Sequence, residues 1–251
     1  MLRVEHLSCG YGGLPIIQDV SFQVKKGEKF CILGPNGCGK TTLLRALACL
    51  LPSKGAIELM GSSLHSISAK QRAQKLALMS QFSPATFDYT VYEAVMLGRY
   101  AHQARSLLKG ESKSDHAIVE ESLRLTGTWE LREHLVTRLS GGQLQRVFLA
   151  RTFAQEPQVI LLDEPTNHLD LHYQVELIES LKTWVAIGER CVVGVFHDMN
   201  LALSFADTIL LLNHGKIQSC SNINDFDLSL LDQLYHMDVR GHMVASLQRW
   251  L

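Results

Sequence analysis

The chain has 251 residues, 46% of them hydrophobic and 20% charged, with a formal net charge of -1. That length and apolarity are enough to bury a sizeable interior, as one large domain or a core with a smaller lobe. The near-neutral balance supplies no global basic field, so composition gives no support to a nucleic-acid partner, and no apolar run approaches the roughly 18 residues of a membrane span.

Arg3, Glu5 and His6 interrupt the N-terminus MLRVEHLSCG where a secretory leader would need an unbroken apolar stretch. The six cysteines, Cys9, Cys31, Cys38, Cys49, Cys191 and Cys220, contain no C-x-x-C and mostly lie in apolar runs. Reduced packing residues and a cytosolic setting are therefore expected. The opening residues alternate apolar and polar, with Gly10, Gly12-Gly13 and Lys26-Gly27-Glu28 as turn punctuation, and are expected to form three short strands. Tyr11 lies in the glycine-rich turn, where it either stacks on a nucleobase or packs on its own hairpin.

The third strand runs into GPNGCGKT, Gly34 to Thr41, which fits G-x-x-x-x-G-K-[ST] at every fixed position and precedes the helix-like TLLRALACLL. Gly34, Gly37 and Gly39 let the backbone N–H groups of this loop, which also holds Pro35, Asn36 and Cys38, wrap phosphate oxygens at a helix N-terminus. Lys40 can reach the terminal phosphates, and the Thr41 hydroxyl is placed to ligate a bridging Mg²⁺. Thr42 adds a second hydroxyl. Cys38, beside Lys40 and a helix N-terminus, is expected to have a lowered thiol pKa; the alternative is a small residue that merely fills a variable position.

Farther on, AIELMG reads as a strand, SISAKQRAQKL as a short polar helix, and LALMSQF as a strand ending near Gln81. From about residue 83 the composition becomes helical: TVYEAVMLGRY, a polar stretch, then AIVEESLRLTGTWELREHL at helical period. LSGGQ, Leu139 to Gln143, opens an amphipathic helix ended by Pro157, so Ser140, Gly141, Gly142 and Gln143 form either a second anion-ready helix start or, as S-G-G taken alone usually is, an ordinary N-cap with flexible glycines. VILLDEPTNHLD reads as a buried parallel strand presenting Asp163 and Glu164 at its carboxyl end, where ligands bind in open parallel sheets. Asp163 is expected to hold Mg²⁺ and Glu164 to polarise an attacking water. CVVGVF delivers His197 to the same end; a lone His there is commonly a hydrogen-bonded structural residue. The tail NDFDLSLLDQLYHMDVRGHMVASLQRWL suggests partial helix and no chemistry.

In this order and spacing the motifs resemble the ATP-binding cassette family of transport ATPases across nearly the whole chain. The resemblance implies an α/β fold: a phosphate-loop NTPase core with a mostly parallel sheet, an N-terminal antiparallel β subdomain and a helical subdomain. It divides a single domain, 1–251, into a core lobe of about 1–82 and 144–220, a helical lobe of about 83–143 and a tail of about 221–251. GPNGCGKT would be the Walker A loop, Tyr11 the adenine-stacking aromatic, Gln81 the lid glutamine that contacts Mg²⁺ and water, LSGGQ the signature, and VILLDEP the Walker B strand. Asn167 to Asp170 would cross the dimer interface, and His197 would be the switch histidine. Glu164, His197, Gln81 and Lys40 are then the catalytic set, and ATP with Mg²⁺ the ligand and cofactor.

Family members pair head to tail, so the resemblance implies a dimer with a copy or paralogue and an integral membrane permease. It also implies, indirectly, a solute-binding protein, no nucleic acid, and a peripheral place on the cytoplasmic face of the inner membrane. TVYEAVMLGRYAHQ, DEPTNHLD and VFHDMNLA are similar to cassettes of importers for iron chelates, haem and cobalamin. Their usual G-R-x-P-H is Gly98-Arg99-Tyr100-Ala101-His102 here. A soluble ATPase of the iron-sulfur assembly type, or an importer cassette for another micronutrient or metal ion, are the alternatives.

Overall fold

In the computed structural model, which describes residues 1–80, 88–103, 112–167 and 169–248, the opening alternation forms two strands, β1 (Leu2–Tyr11) and β2 (Leu14–Val24). They pair antiparallel around Gly12-Gly13 and are longer than the short strands the sequence suggests. Three register shifts between Val4 and Gly10 bend this ribbon, which lets a long hairpin curl over the core instead of standing away from it. β3 (Lys29–Leu33) leaves for a second sheet, while β4 (Ser53–Leu59) and β5 (Ser62–Ser63) complete a four-stranded antiparallel sheet ordered β2-β1-β4-β5.

The second sheet adds β6 (Leu76–Met79), β7 (Val159–Asp163), β8 (Cys191–Val195), β9 (Thr208–Asn213) and β10 (Lys216–Asn222), in the order β10-β9-β3-β8-β7-β6. All neighbours are parallel except β10 on β9. Every residue of β7 and β8 is buried, as a parallel sheet covered on both faces requires. Period-two alternation sorts β3 between two cores: Phe30 and Ile32 face one apolar cluster, and Cys31 and Leu33 face the other.

The first cluster lies under the antiparallel sheet and takes Leu43, Leu44 and Leu47 from α1 (Lys40–Leu47). α2 (Ala69–Ala73) is short and capped by a Ser68/Gln71 box. α3 (Val91–Met96) passes into a 3₁₀ turn, Leu97–Ala101, followed by α4 (Lys113–Leu125) and α5 (Gly141–Ala154). These bury a third cluster built on Val91, Val95, Val119, Leu123, Leu144 and Val147. α5 also sends Leu149 and Phe153 to the second core, so it contributes to both clusters. The other sheet face is covered by α6 (Leu171–Ala186), α7 (Met199–Phe205) and α8 (Ser229–Tyr235), with α9 (Val239–Leu247) at the end.

Helical period in the sequence continues past Leu125, but α4 stops there. Gly127 takes φ 62°, and the Thr126 and Thr128 hydroxyls donate to the Ser122 and Leu123 carbonyls at 3.1 and 3.3 Å. The Leu123 carbonyl, which the Gly127 N–H would take in another turn of helix, accepts the Thr128 N–H at 2.8 Å instead, while the Gly127 N–H donates to the Arg124 carbonyl at 3.0 Å. Trp129–Leu131 is a 3₁₀ turn instead. Among the described residues no helix is long and apolar enough to cross a membrane.

Candidate functional site

The parallel register puts the ends of β3, β7 and β8 at one edge, since Ile32 and Asp163 both pair with Val195. The phosphate-loop sequence leaves β3 there. Gly37 and Gly39 adopt φ 78° and 109°, a region that costs a β-carbon residue strain. Gly34 is required for a different reason: a Cβ there would sit 2.2 Å from the Leu212 carbonyl oxygen. Lys40 is buried and turns back across the loop, its Nζ donating to the Gly34 and Pro35 carbonyls at 2.7 and 3.1 Å. Asn36 and Gly37 are exposed at the loop tip, and Thr42 is buried behind it.

Thr41 and Asp163 meet directly, the hydroxyl donating to Oδ1 at 3.0 Å across 122 residues of chain. A hydroxyl and a carboxylate oxygen are hard donors of the kind Mg²⁺ takes. Burial pushes the Asp163 carboxyl up from its ordinary value, with the Glu164 charge adding to it; the Thr41 hydrogen bond and the Arg45 and Lys40 cations oppose. Gln81, the third expected metal and lid residue, lies outside the described residues, as does His168 of the expected interface loop.

Glu164 stands beyond β7 with φ 54°, held by donation from its backbone N–H to the Val195 carbonyl at 3.1 Å. Its two carboxylate oxygens are taken separately: His197 Nε2 contacts Oε1, and Asn167 Nδ2 donates to Oε2. His197, exposed at the end of β8, is therefore joined to the carboxylate. Asn167, expected only as part of an interface loop, fixes the other oxygen, and the turn Glu164-Pro165-Thr166-Asn167 is what brings it back.

Tyr11 ends β1 and is 42% exposed, and its hydroxyl accepts from Arg45 Nη1 of α1 at 3.2 Å. The ring is available for stacking while its hydroxyl is tied to the helix that follows the phosphate loop. Ser140 and Gly141 are exposed. Ser140 Oγ accepts from the Gln143 N–H and Gln143 Oε1 accepts from the Ser140 N–H, a capping box that shapes the start of α5. Gly142 is buried, and a Cβ there would lie 2.5 Å from the Tyr173 ring.

The expected lowering of the Cys38 thiol pKa is overturned. Burial raises it, outweighing the Lys40 charge and the backbone N–H groups of Cys38 and Lys40. The side chain turns inward, where it packs in the first core. The tail, for which the sequence suggested no chemistry, reaches the same loop. The Tyr235 phenol is pushed up by burial and then by Cys38, while a hydrogen bond from the Gly34 backbone opposes. No pattern near Tyr235 announces this contact, because tertiary packing alone creates it.

A family model described as ABC transporter matches residues 17–167. The hemin import ATP-binding protein HmuV of Methylobacillus flagellatus is 36% identical, over 98% of this chain and 96% of its own length. YvrA of Bacillus subtilis, an ABC transporter ATP-binding protein, is 41% identical over 85% of this chain, which spans only 48% of YvrA. A solved inward-facing structure described as a metal-chelate type ABC transporter matches with TM-score 0.80 at 30% identity, covering 94% of this chain and 88% of that one.

Proposed function

The chain belongs to the ABC transporter family, and from that premise we propose that it is the ATP-hydrolysing subunit of an importer taking an iron chelate, haem or cobalamin through a membrane permease. The observation that carries the reading is the convergence of the phosphate loop, Asp163, Glu164 and His197 at one sheet edge. The hemin import and metal-chelate descriptions of its relatives favour this cargo class. The cassette would sit on the cytoplasmic face of the membrane, held there by the permease.

ATP phosphates would replace the Gly34 and Pro35 carbonyls as partners of Lys40, whose ammonium already lies in the loop. Thr41, Asp163 and Gln81 would hold Mg²⁺, which when bound neutralises phosphate charge. His197 and Asn167 each engage one oxygen of Glu164 before nucleotide binds. A γ-phosphate that draws His197 away frees Oε1 to accept the proton of an attacking water, as the new P–O bond forms and ADP leaves. Exposed Ser140 and Gly141 at the start of α5 would close on nucleotide held by a second subunit, so the dimer is tightest with ATP and relaxes after hydrolysis.

Glu164→Gln is expected to retain ATP binding, lose hydrolysis by about 10²–10⁴-fold, and accumulate as an ATP-dependent dimer in light scattering. Full turnover in that variant removes Glu164 as the base. Co-purification with a detergent-solubilised permease supports the transport role, and a cassette that only ever isolates with soluble partners contradicts it.

A further inference from the structure

α5 has two ends with different company. Its N-terminus carries exposed Ser140 and Gly141, while its C-terminal carbonyls are covered by the segment Leu97–Gln103. Arg99 is buried and donates from Nη1 to the Ala154 carbonyl at 2.7 Å and to Glu156 Oε2 at 2.8 Å. Its Nε donates to Asp115 Oδ1 at 2.8 Å, and that carboxylate also closes the Ser112 capping box of α4. His102 Nε2 contacts the Gln155 carbonyl at 2.8 Å. Gly98 packs so closely that a Cβ there would lie 2.4 Å from the Arg151 carbonyl oxygen.

The last carbonyls of a helix lack internal partners and carry its negative end, so a buried guanidinium there satisfies both demands. The same segment is fastened on its far side, where Gln74 Nε2 donates to the Ala101 carbonyl at 2.9 Å and Lys70 Nζ to the Gln103 carbonyl at 2.6 Å. Its outward residues are apolar: Leu97 is 43% and Tyr100 78% exposed.

We propose that Arg99 and His102 are positioning residues that clamp the C-terminal end of α5 to Leu97–Gln103, so that movement of the Ser140 end on nucleotide is delivered to the surface bearing Leu97 and Tyr100. The clamp rests on the importer reading above. Helix α5, 14 residues long, is a rod of about 21 Å, and a rod transmits displacement only if its far end is tied to what must move. Arg99 ties three pieces at once: the 3₁₀ turn, the start of α4 and the end of α5. Neither residue is needed for hydrolysis.

The test places a thiol-reactive, environment-sensitive fluorophore at Tyr100→Cys in a Glu164→Gln background, with the same protein lacking Tyr100→Cys subtracting label on native cysteines. ATP is expected to change the emission when Arg99 and His102 are intact. Arg99→Met should abolish the change, while Arg99→Lys and His102→Ala should reduce it about two- to ten-fold, the factor that loss of one net hydrogen bond corresponds to. ATP-dependent dimerisation should persist in each variant, and ATPase activity with Glu164 restored should stay within about two-fold. His102→Ala leaves the Arg99–Asp115 pair untouched and decides the matter if Arg99→Met does not fold. An undiminished emission change in His102→Ala and Arg99→Met overturns the clamp, as does a parallel loss of hydrolysis in folded variants. Absence of ATP-dependent dimers in the protein with both residues intact overturns the two-subunit site proposed above, and the clamp with it.

Discussion

At the scale of single residues, burial and hydrogen bonding decide what each polar group can do. Cys38 shows the balance: Lys40 and backbone N–H groups favour the thiolate, and desolvation of the inward-turned side chain disfavours it more. The folded protein should therefore react with iodoacetamide at Cys38 more slowly than a model thiol at neutral pH, accelerating as pH rises, and ATP should slow it further. Mass mapping of the alkylated site checks this, and a rate at neutral pH above that of the model thiol contradicts it. Glu164 is the other case. Its left-handed φ of 54° costs about 1–2 kcal/mol, and the bond to Val195 together with the His197 and Asn167 contacts holds it there. Such strain belongs where a carboxylate must be aimed. The phosphate loop was legible because its eight residues act through local backbone geometry. Asn167 on Glu164 and Tyr235 on Gly34 were not legible, because each contact exists only after distant or turned segments meet.

Among the elements, the parallel strands were readable from their unbroken apolar runs, which no half-exposed strand would carry. The end of α4 was not, since the apolar period continues while the left-handed Gly127 and the Thr128 N–H on the Leu123 carbonyl close the helix. The tie between α4, α5 and the 3₁₀ turn has a measurable pH signature. Burial would raise the Asp115 carboxyl, but donation from Arg99 and Ser112 prevails and holds it down at about 2. An unfolded aspartate titrates at about 3.9, so protons bind the unfolded chain first as pH falls. The stabilisation is whole above about pH 4 and lost as pH falls toward the folded value. In urea melts at a series of pH values, wild type should exceed Asp115→Asn by a constant margin from pH 7 to 5, and the margin should narrow below about pH 4. A margin that is flat to pH 3 contradicts the ion pair as the source.

For the whole molecule, the proposed function rests on where the two helix starts stand. One edge of the sheet carries the phosphate loop, Thr41 on Asp163 and Glu164 on His197. Ser140 and Gly141 stand exposed at the head of α5, its start shaped by the reciprocal Ser140 and Gln143 capping bonds. Under the proposed function each chain holds half of two sites, completed only when a second chain supplies its Ser140 end. The most direct test is ATP turnover per chain in the isolated protein, measured against protein concentration with light scattering in parallel. Turnover per chain should be low at dilution and rise with the dimer fraction to a plateau; turnover that is constant while the chain remains monomeric contradicts the claim.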